Sequence, residues 1–116
     1  MLQLDARPEY LNHLGTIHAA ALFALAEGSG GQFLLNCFPG QVDSVIPVVR
    51  KAEVIFKKPA SGIIVSKAFL KDNTIENIQS ELLSRKRSSL ITIVELFDMH
   101  STKIFSAQFE WLVTVK

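Results

Sequence analysis

The sequence predicts an α+β domain in which one antiparallel sheet wraps around a central, buried helix. Three features carry this reading. The stretch "NHLGTIHAAALFALAEGSGGQFLL", Asn12 to Leu35, is apolar almost throughout and rich in helix formers. Later segments carry the alternation, or the continuous apolar character, of β-strands. The resulting order is strand, buried helix, two strands, small helix, two strands, and one curled antiparallel sheet is the simplest object that accommodates it.

Each element has its own signal. Leu2 and Leu4 suit an edge strand that ends at "ARPEY". Thr16 can cap a helix running through Ala19, Ala20 and the residues to Ala26; Gly28, Gly30 and Gly31 are terminators that the helix can still overrun. A helix apolar on every side is expected to be buried on every side, with Glu27 at its end. In "VVRKAEVIFKKPASG", Val48, Ala52, Val54 and Phe56 form one face; Lys51, Glu53 and Lys57 form the other. "PASG" turns the chain into "IIVSKAFLK", where Ile64, Ala68 and Leu70 oppose Lys67 and Lys71. Asn73 and Glu76 have capping-box spacing ahead of Ile75, Ile78, Leu82 and Leu83, which recur at helical intervals. "SLITIVELFD" is apolar on both faces, as a central strand should be. In "KIFSAQFEWLVTV", Phe105, Ala107, Phe109, Trp111, Val113 and Val115 share a face.

Bulk properties narrow the function. A length of 116 residues gives one domain, residues 1–116, with a single core. Twelve basic against eleven acidic residues leave a charge of +1, which supplies no electrostatic argument for nucleic acid or an anionic membrane, and neither is expected as a partner. The hydrophobic fraction of 48% is high for a small monomer and points to burial against a second chain. The single Cys37, read as a buried thiol, and the scattered His13, His18 and His100 make neither a disulfide framework nor a metal site. "MLQLDARPEY" lacks a signal pattern, and Ile17 to Ala26 is too short for a bilayer span, so a cytoplasmic location without membrane insertion is expected.

The motif Asn12-x-x-Gly15-x-x-His18-Ala19-Ala20, followed by an acid nine positions after the histidine at Glu27, resembles the hot-dog-fold thioesterases. The similarity is to the phenylacetate-pathway and 4-hydroxybenzoyl-CoA types. It extends over essentially the whole chain, because the element order also matches the hot-dog layout. The resemblance implies hydrolysis of an acyl-CoA thioester, with coenzyme A entering as part of the substrate and no cofactor or metal. It also implies that two protomers join their sheets edge to edge as a homodimer, with pairing of dimers a further possibility. Where those relatives carry a glycine pair, this chain has Ala19 and Ala20. The first of the two offers its backbone N–H to the thioester carbonyl, and alanine keeps that donor while adding a methyl group.

The spacing has a geometric consequence of its own. Nine residues at about 100° each place His18 and Glu27 on opposite sides of one helix, about 13 Å apart along its axis. A site needing both the helix start and the acid must take them from two subunits. On this reading Glu27 attacks the thioester carbonyl or activates water, and the Ala19 N–H at the positive end of the helix holds the oxyanion. Asn12 and His18 orient the thioester, with Gly15 and Ala20 beside it. Lys57, Lys58, Arg85, Lys86 and Arg87 are candidates for the coenzyme A phosphates. Simpler roles stand beside these: Glu27 as the first polar residue after a buried helix, His18 and Asn12 as structural groups, the basic residues as a solvated run. The alternative function is a non-catalytic acyl-thioester binding protein whose site the two alanines have crowded.

Overall fold

The computed structural model describes residues 3–4, 19–38 and 44–116. Its elements are β1 (Gln3–Leu4), α1 (Ala19–Asn36), β2 (Val45–Phe56), β3 (Ile64–Leu70), α2 (Ile75–Arg85), β4 (Arg87–Phe97) and β5 (Lys103–Val115). The five strands form one antiparallel sheet in the order β1-β3-β4-β5-β2. Thus β4 and β5 are central, as their apolar sequences require, and β2, twelve residues long, is an edge free of any outer neighbour among the described residues. The strand expected around Leu4 is the short pairing of β1 with β3.

One sheet face is built from alternate residues: Ile64 and Ser66 of β3, Leu90, Thr92, Val94 and Leu96 of β4, and Phe105, Ala107, Phe109, Trp111 and Val113 of β5. All are buried. They meet Leu22, Leu25, Ala26 and Leu34 of α1, and Ile78 and Leu82 of α2, in one core. Val115, expected on the same face, is the last residue of β5 and is exposed.

Three expectations need correction. First, α1 is buried along one side only. Ala20, Ala24, Glu27, Gly28 and Gln32 are exposed, because the sheet covers a single face and nothing else in the described chain reaches the other. Second, α1 runs to Asn36, which puts Glu27 in its middle. Three interior glycines cost helix stability, but Gly30 has a positive use. A Cβ at Gly30 would stand 3.1 Å from Thr92 Oγ1, with Val94 and Phe109 also in contact, so its absence lets the helix settle on the sheet. Third, a β-bulge between Val49 and Lys51 resets the alternation of β2. Val49 therefore shares the helix-side face with Ala52, Val54 and Phe56, while Val48 turns outward with Lys51 and Glu53.

The small helix starts one residue later than its capping spacing suggested. Thr74 is the N-cap and accepts the Asn77 N–H at 3.2 Å, while Asn73 Oδ1 takes the Thr74 N–H. Lys86, in the left-handed region at φ 64°, closes the other end by donating its N–H to Leu82 O. Gln79 Nε2 donates to Cys37 O at 3.1 Å and ties α2 to the end of α1.

Candidate active site

Glu27 is placed by its neighbours one turn away on α1. Phe23, four residues before, packs edge-on against Phe109 of β5 with ring centroids 5.7 Å apart. Gly31, four residues after, faces Trp111 of β5: a Cβ there would stand 3.6 Å from the indole. Residues four apart share a helix flank, so Glu27 lies on the flank that looks over β5 toward β2. It is exposed, and among the described residues no basic group or hydrogen-bond donor pairs with it. Ala20, Ala24 and Gly31 continue the same flank with almost no side-chain bulk. Opposite them, Ala52 and Phe56 of β2 are exposed and Val54 is half-buried, all on the helix-side face. A trough thus runs between α1 and the free edge, and Glu27 is the charged group on its helix wall.

The helix start is the second expected component. Ala19 opens α1, and its N–H is among those with no acceptor one turn earlier in the helix. Both Ala19 and Ala20 are exposed. Eight residues separate Ala19 from Glu27, about 12 Å of helix rise, so these two components do not meet within one chain. Asn12, Gly15 and His18 lie outside the described residues.

The basic candidates fall into two groups that one chain holds far apart. Lys57 and Lys58 follow β2 immediately after Phe56, which pairs with Phe105. Arg85, Lys86 and Arg87 lie between α2 and β4, where Arg87 pairs with Thr114. Nine residues of β5 separate those levels, about 30 Å. Arg85 and Lys86 also have local roles: Arg85 sits in the last turn of α2, where a cation suits the helix dipole, and Lys86 is its cap.

Polar contacts missed in the sequence hold the rest of the core. Ser66 Oγ donates to Ser29 Oγ at 2.9 Å across the α1–β3 contact, both groups being buried. Trp111 Nε1 donates to Thr92 Oγ1 at 2.9 Å beneath Gly30. The available signal was a hydroxyl residue at a core-facing strand position, Ser66 or Thr92, where alternation calls for an apolar side chain. Cys37 is buried as expected; its thiol donates to Phe33 O, and desolvation raises its pKa from the ordinary value. His100 lies in the β4–β5 turn. There Asp98 Oδ1 accepts N–H groups from Thr102 and His100, and the Thr102 bond chiefly lowers the Asp98 pKa. No three His, Cys, Asp or Glu side chains among the described residues gather as a metal site would need. No helix among them is long and apolar enough to cross a membrane.

Known structures share this architecture. A protein of unknown function from Pseudomonas aeruginosa, named a probable thioesterase, superposes with a TM-score of 0.86 at 24% identity, covering 98% of this chain and 74% of its own. The BH2602 protein from Bacillus halodurans, solved with CoA, gives 0.76 at 14% identity, covering 96% and 68%. A hypothetical thioesterase from Streptococcus pneumoniae, solved with coenzyme A, gives 0.74 at 15% identity, covering 98% and 77%. Identities this low carry the fold and not the reaction. Among curated proteins, none matches the chain in sequence. The architecture is the hot-dog fold of the thioesterases that the sequence motif resembled. With residues 1–113 matching its sequence profile, the chain belongs to the family described as a domain of unknown function, DUF4442.

Proposed function

We propose that this protein is a thioester hydrolase acting on an acyl-CoA or a related thioester, at a site completed by a second copy of the chain. One observation carries the reading. The trough beside α1 holds a carboxylate that the described residues leave unpaired, and the helix start it would work with lies about 12 Å away along the same rod. A second copy brings a second helix start. The free edge gives it a place to dock: β2 is twelve residues long, has no outer neighbour among the described residues, and exposes Ile46, Val48, Ile55 and Phe56. An edge of that length and character is completed by antiparallel pairing with its own copy.

In such a dimer the thioester carbonyl rests against the start of one α1. The Ala19 N–H and the positive helix end stabilise the oxyanion. Glu27 of the other copy attacks the carbonyl carbon, expelling coenzyme A as its thiolate, which solvent protonates, and leaving a mixed anhydride that water cleaves to the free acid and the Glu27 carboxylate. Alternatively it takes a proton from the water that attacks directly. Antiparallel pairing of the β2 edges also brings Lys57 and Lys58 of one copy to the sheet end where the other carries Arg85, Lys86 and Arg87. The two basic groups separated within one chain then flank one site and can meet the coenzyme A phosphates from both sides. Two solved neighbours that contain coenzyme A, the BH2602 protein and the hypothetical thioesterase from Streptococcus pneumoniae, support this class of ligand.

The test is thiol release from a panel of acyl-CoA thioesters. Glu27→Ala is expected to lower turnover by about 10²–10⁴-fold. Ala19→Pro removes the N–H at a helix position that tolerates proline, and it is expected to be inactive as well. Mixing the two with subunit exchange restores about a quarter of wild-type activity if sites are shared, since half the dimers are mixed and each holds one intact site. No recovery after proven exchange contradicts the shared site. Coenzyme A thioester binding without turnover of any panel member favours the binding-protein reading, with the Ala19 and Ala20 methyl groups as the cause.

A further inference from the structure

We infer that β2 pairs with β2 of a second copy in one register, set by its bulge, and that Phe56 of each copy caps an apolar socket beside α2 of the other. This rests on the shared-site reading above and adds where the second copy sits and what holds it.

The bulge decides the register. In a regular strand, residues an odd number apart lie on opposite faces and aim their backbone groups at opposite edges. A regular strand of twelve residues therefore cannot pair end to end with its own copy. The extra residue between Val49 and Lys51 corrects this. Just before β2, Ser44 O accepts the Lys116 N–H; just after it, the Lys57 N–H donates to Ile104 O. Alternation from those two bonds turns the backbone groups of Val45, Pro47 and Val49, and of Ala52, Val54 and Phe56, toward the free edge. The same six side chains lie on the helix-side face. An antiparallel second copy thus sets Val45 opposite Phe56, Pro47 opposite Val54 and Val49 opposite Ala52, with face and bonding direction matched at every pair. Shifts of two residues also match, but they leave part of each strand unpaired. At the dyad Arg50 and Lys51 of both copies meet. Glu53 stands 3.2 Å from Lys51 Nζ and Glu110 pairs with Lys51 in register, so acids match bases in number there.

Side chains anchor the two ends. Pro47 has no N–H to give Val54 of the other copy, which leaves each half of the ladder one bond short. At the start of β2, Val45 borders a cavity of about 200 Å³ that is also walled by Gln79, Leu82, Leu83, Lys86 and Val115. About 150 Å³ of apolar space is enough for a benzene ring. Leu83 is 75% exposed and Val115 38%, and nothing among the described residues covers them. Phe56 is the matching group. It stands edge-on to its own Phe105 at 5.1 Å between centroids, and 52% of it is exposed. The register that uses the whole strand brings this half-bare ring beside Val45 of the other copy, on the face where the socket lies. Covering ring and socket together removes apolar surface from water at both ends of the interface.

Cysteine cross-linking of the full chain reads the register without requiring turnover. Ile46 and Ile55 lie on the sheet face away from α1, 45% and 59% exposed. In the expected register they oppose each other as a pair without hydrogen bonds, Cα atoms about 4.5 Å apart, a spacing that suits a disulfide. Ile46→Cys/Ile55→Cys is expected to oxidise to a covalent dimer. Ile46→Cys/Glu53→Cys and Ile46→Cys/Lys57→Cys, which read the registers two residues to either side, are expected to stay uncross-linked, and Ile46→Cys alone controls for Cys37. In sedimentation, Leu83→Ala and Phe56→Ala are each expected to raise the dimer dissociation constant at least about 30-fold, and the double variant little further, because both remove one contact. Wild type that stays monomeric at every concentration, preferential cross-linking of either control, or Leu83→Ala dimerising like wild type overturns the inference. Cross-linking in the expected register in a protein that hydrolyses no thioester keeps the inference and removes the catalytic reading. Activity recovered in mixed Glu27→Ala and Ala19→Pro dimers, with cross-linking only in a control register, does the reverse.

Discussion

The two flanks of α1 meet the same sheet in opposite ways. On the β3 side, Ser29 is buried and bonded to Ser66, and the helix is fastened to the strand by a hydroxyl pair. On the β2 side, Ala20, Ala24, Glu27 and Gly31 stand over a strip that the helix leaves uncovered. One flank spends its polar atoms on holding the fold. The other carries a charge that the described residues leave unpaired, with small neighbours that leave room beside it. A flank that only had to pack would have large apolar residues in place of Ala20, Ala24 and Gly31, since each would bury more surface against β2. That difference is what favours the β2 side for the proposed site.

The largest contrast to test is between Glu27 and Thr92. Glu27→Ala, expected to remove most turnover, should leave stability within about 0.5 kcal/mol of wild type, since the side chain is exposed and no described residue pairs with it. Thr92→Val keeps the shape of a fully buried side chain but takes the acceptor from Trp111 Nε1. It should cost about 1–3 kcal/mol in urea unfolding, with any activity loss following stability. A Glu27→Ala protein destabilised by more than about 2 kcal/mol would make that flank structural and end the contrast.

Much of this was legible in the sequence, for physical reasons that differ by element. The strand segments and the shared face of β5 follow from side-chain alternation, which a central antiparallel strand obeys strictly because its neighbours fix its register; the order β1-β3-β4-β5-β2 in the sheet does not. In β2 the alternation was misread at Val48, because a bulge adds one residue without a sequence signal that distinguishes it from ordinary alternation. The extent of α1 was equally hidden. Gly28, Gly30 and Gly31 look like a terminator by propensity, and only the 3.1 Å approach at Thr92 shows why a glycine belongs inside the helix. Its one-sided burial could not be read from composition, because a face covered by a second chain and a face covered by the same chain have the same apolar sequence. That ambiguity is also why the 48% hydrophobic content pointed to a partner without saying where it sits. For the candidate site, the spacing of Glu27 from the helix start was readable from helix geometry alone. The separation of Lys57 and Lys58 from Arg85, Lys86 and Arg87 depends on strand pairing and was not.

The finest test uses two adjacent glycines that belong to the two kinds of surface. Replacing either with alanine gains up to about 1 kcal/mol of helix propensity. At Gly30 the new methyl meets Thr92 Oγ1 at 3.1 Å, and that oxygen cannot retreat without stretching its bond from Trp111. Val94 and Phe109 close the remaining directions, so the helix itself must lift. Overpacking of this kind costs about 1–3 kcal/mol, and Gly30→Ala should come out about 1 kcal/mol less stable than wild type. At Gly31 the methyl would meet the edge of Trp111 at 3.6 Å, an ordinary contact, and the flank around it is open. Gly31→Ala should therefore keep its propensity gain and be more stable by about 0.5 kcal/mol. Chemical denaturation of the two variants side by side measures the difference. Equal effects would mean that α1 rides over both positions at the same height, and that the trough beside Glu27 is as tightly filled as the core.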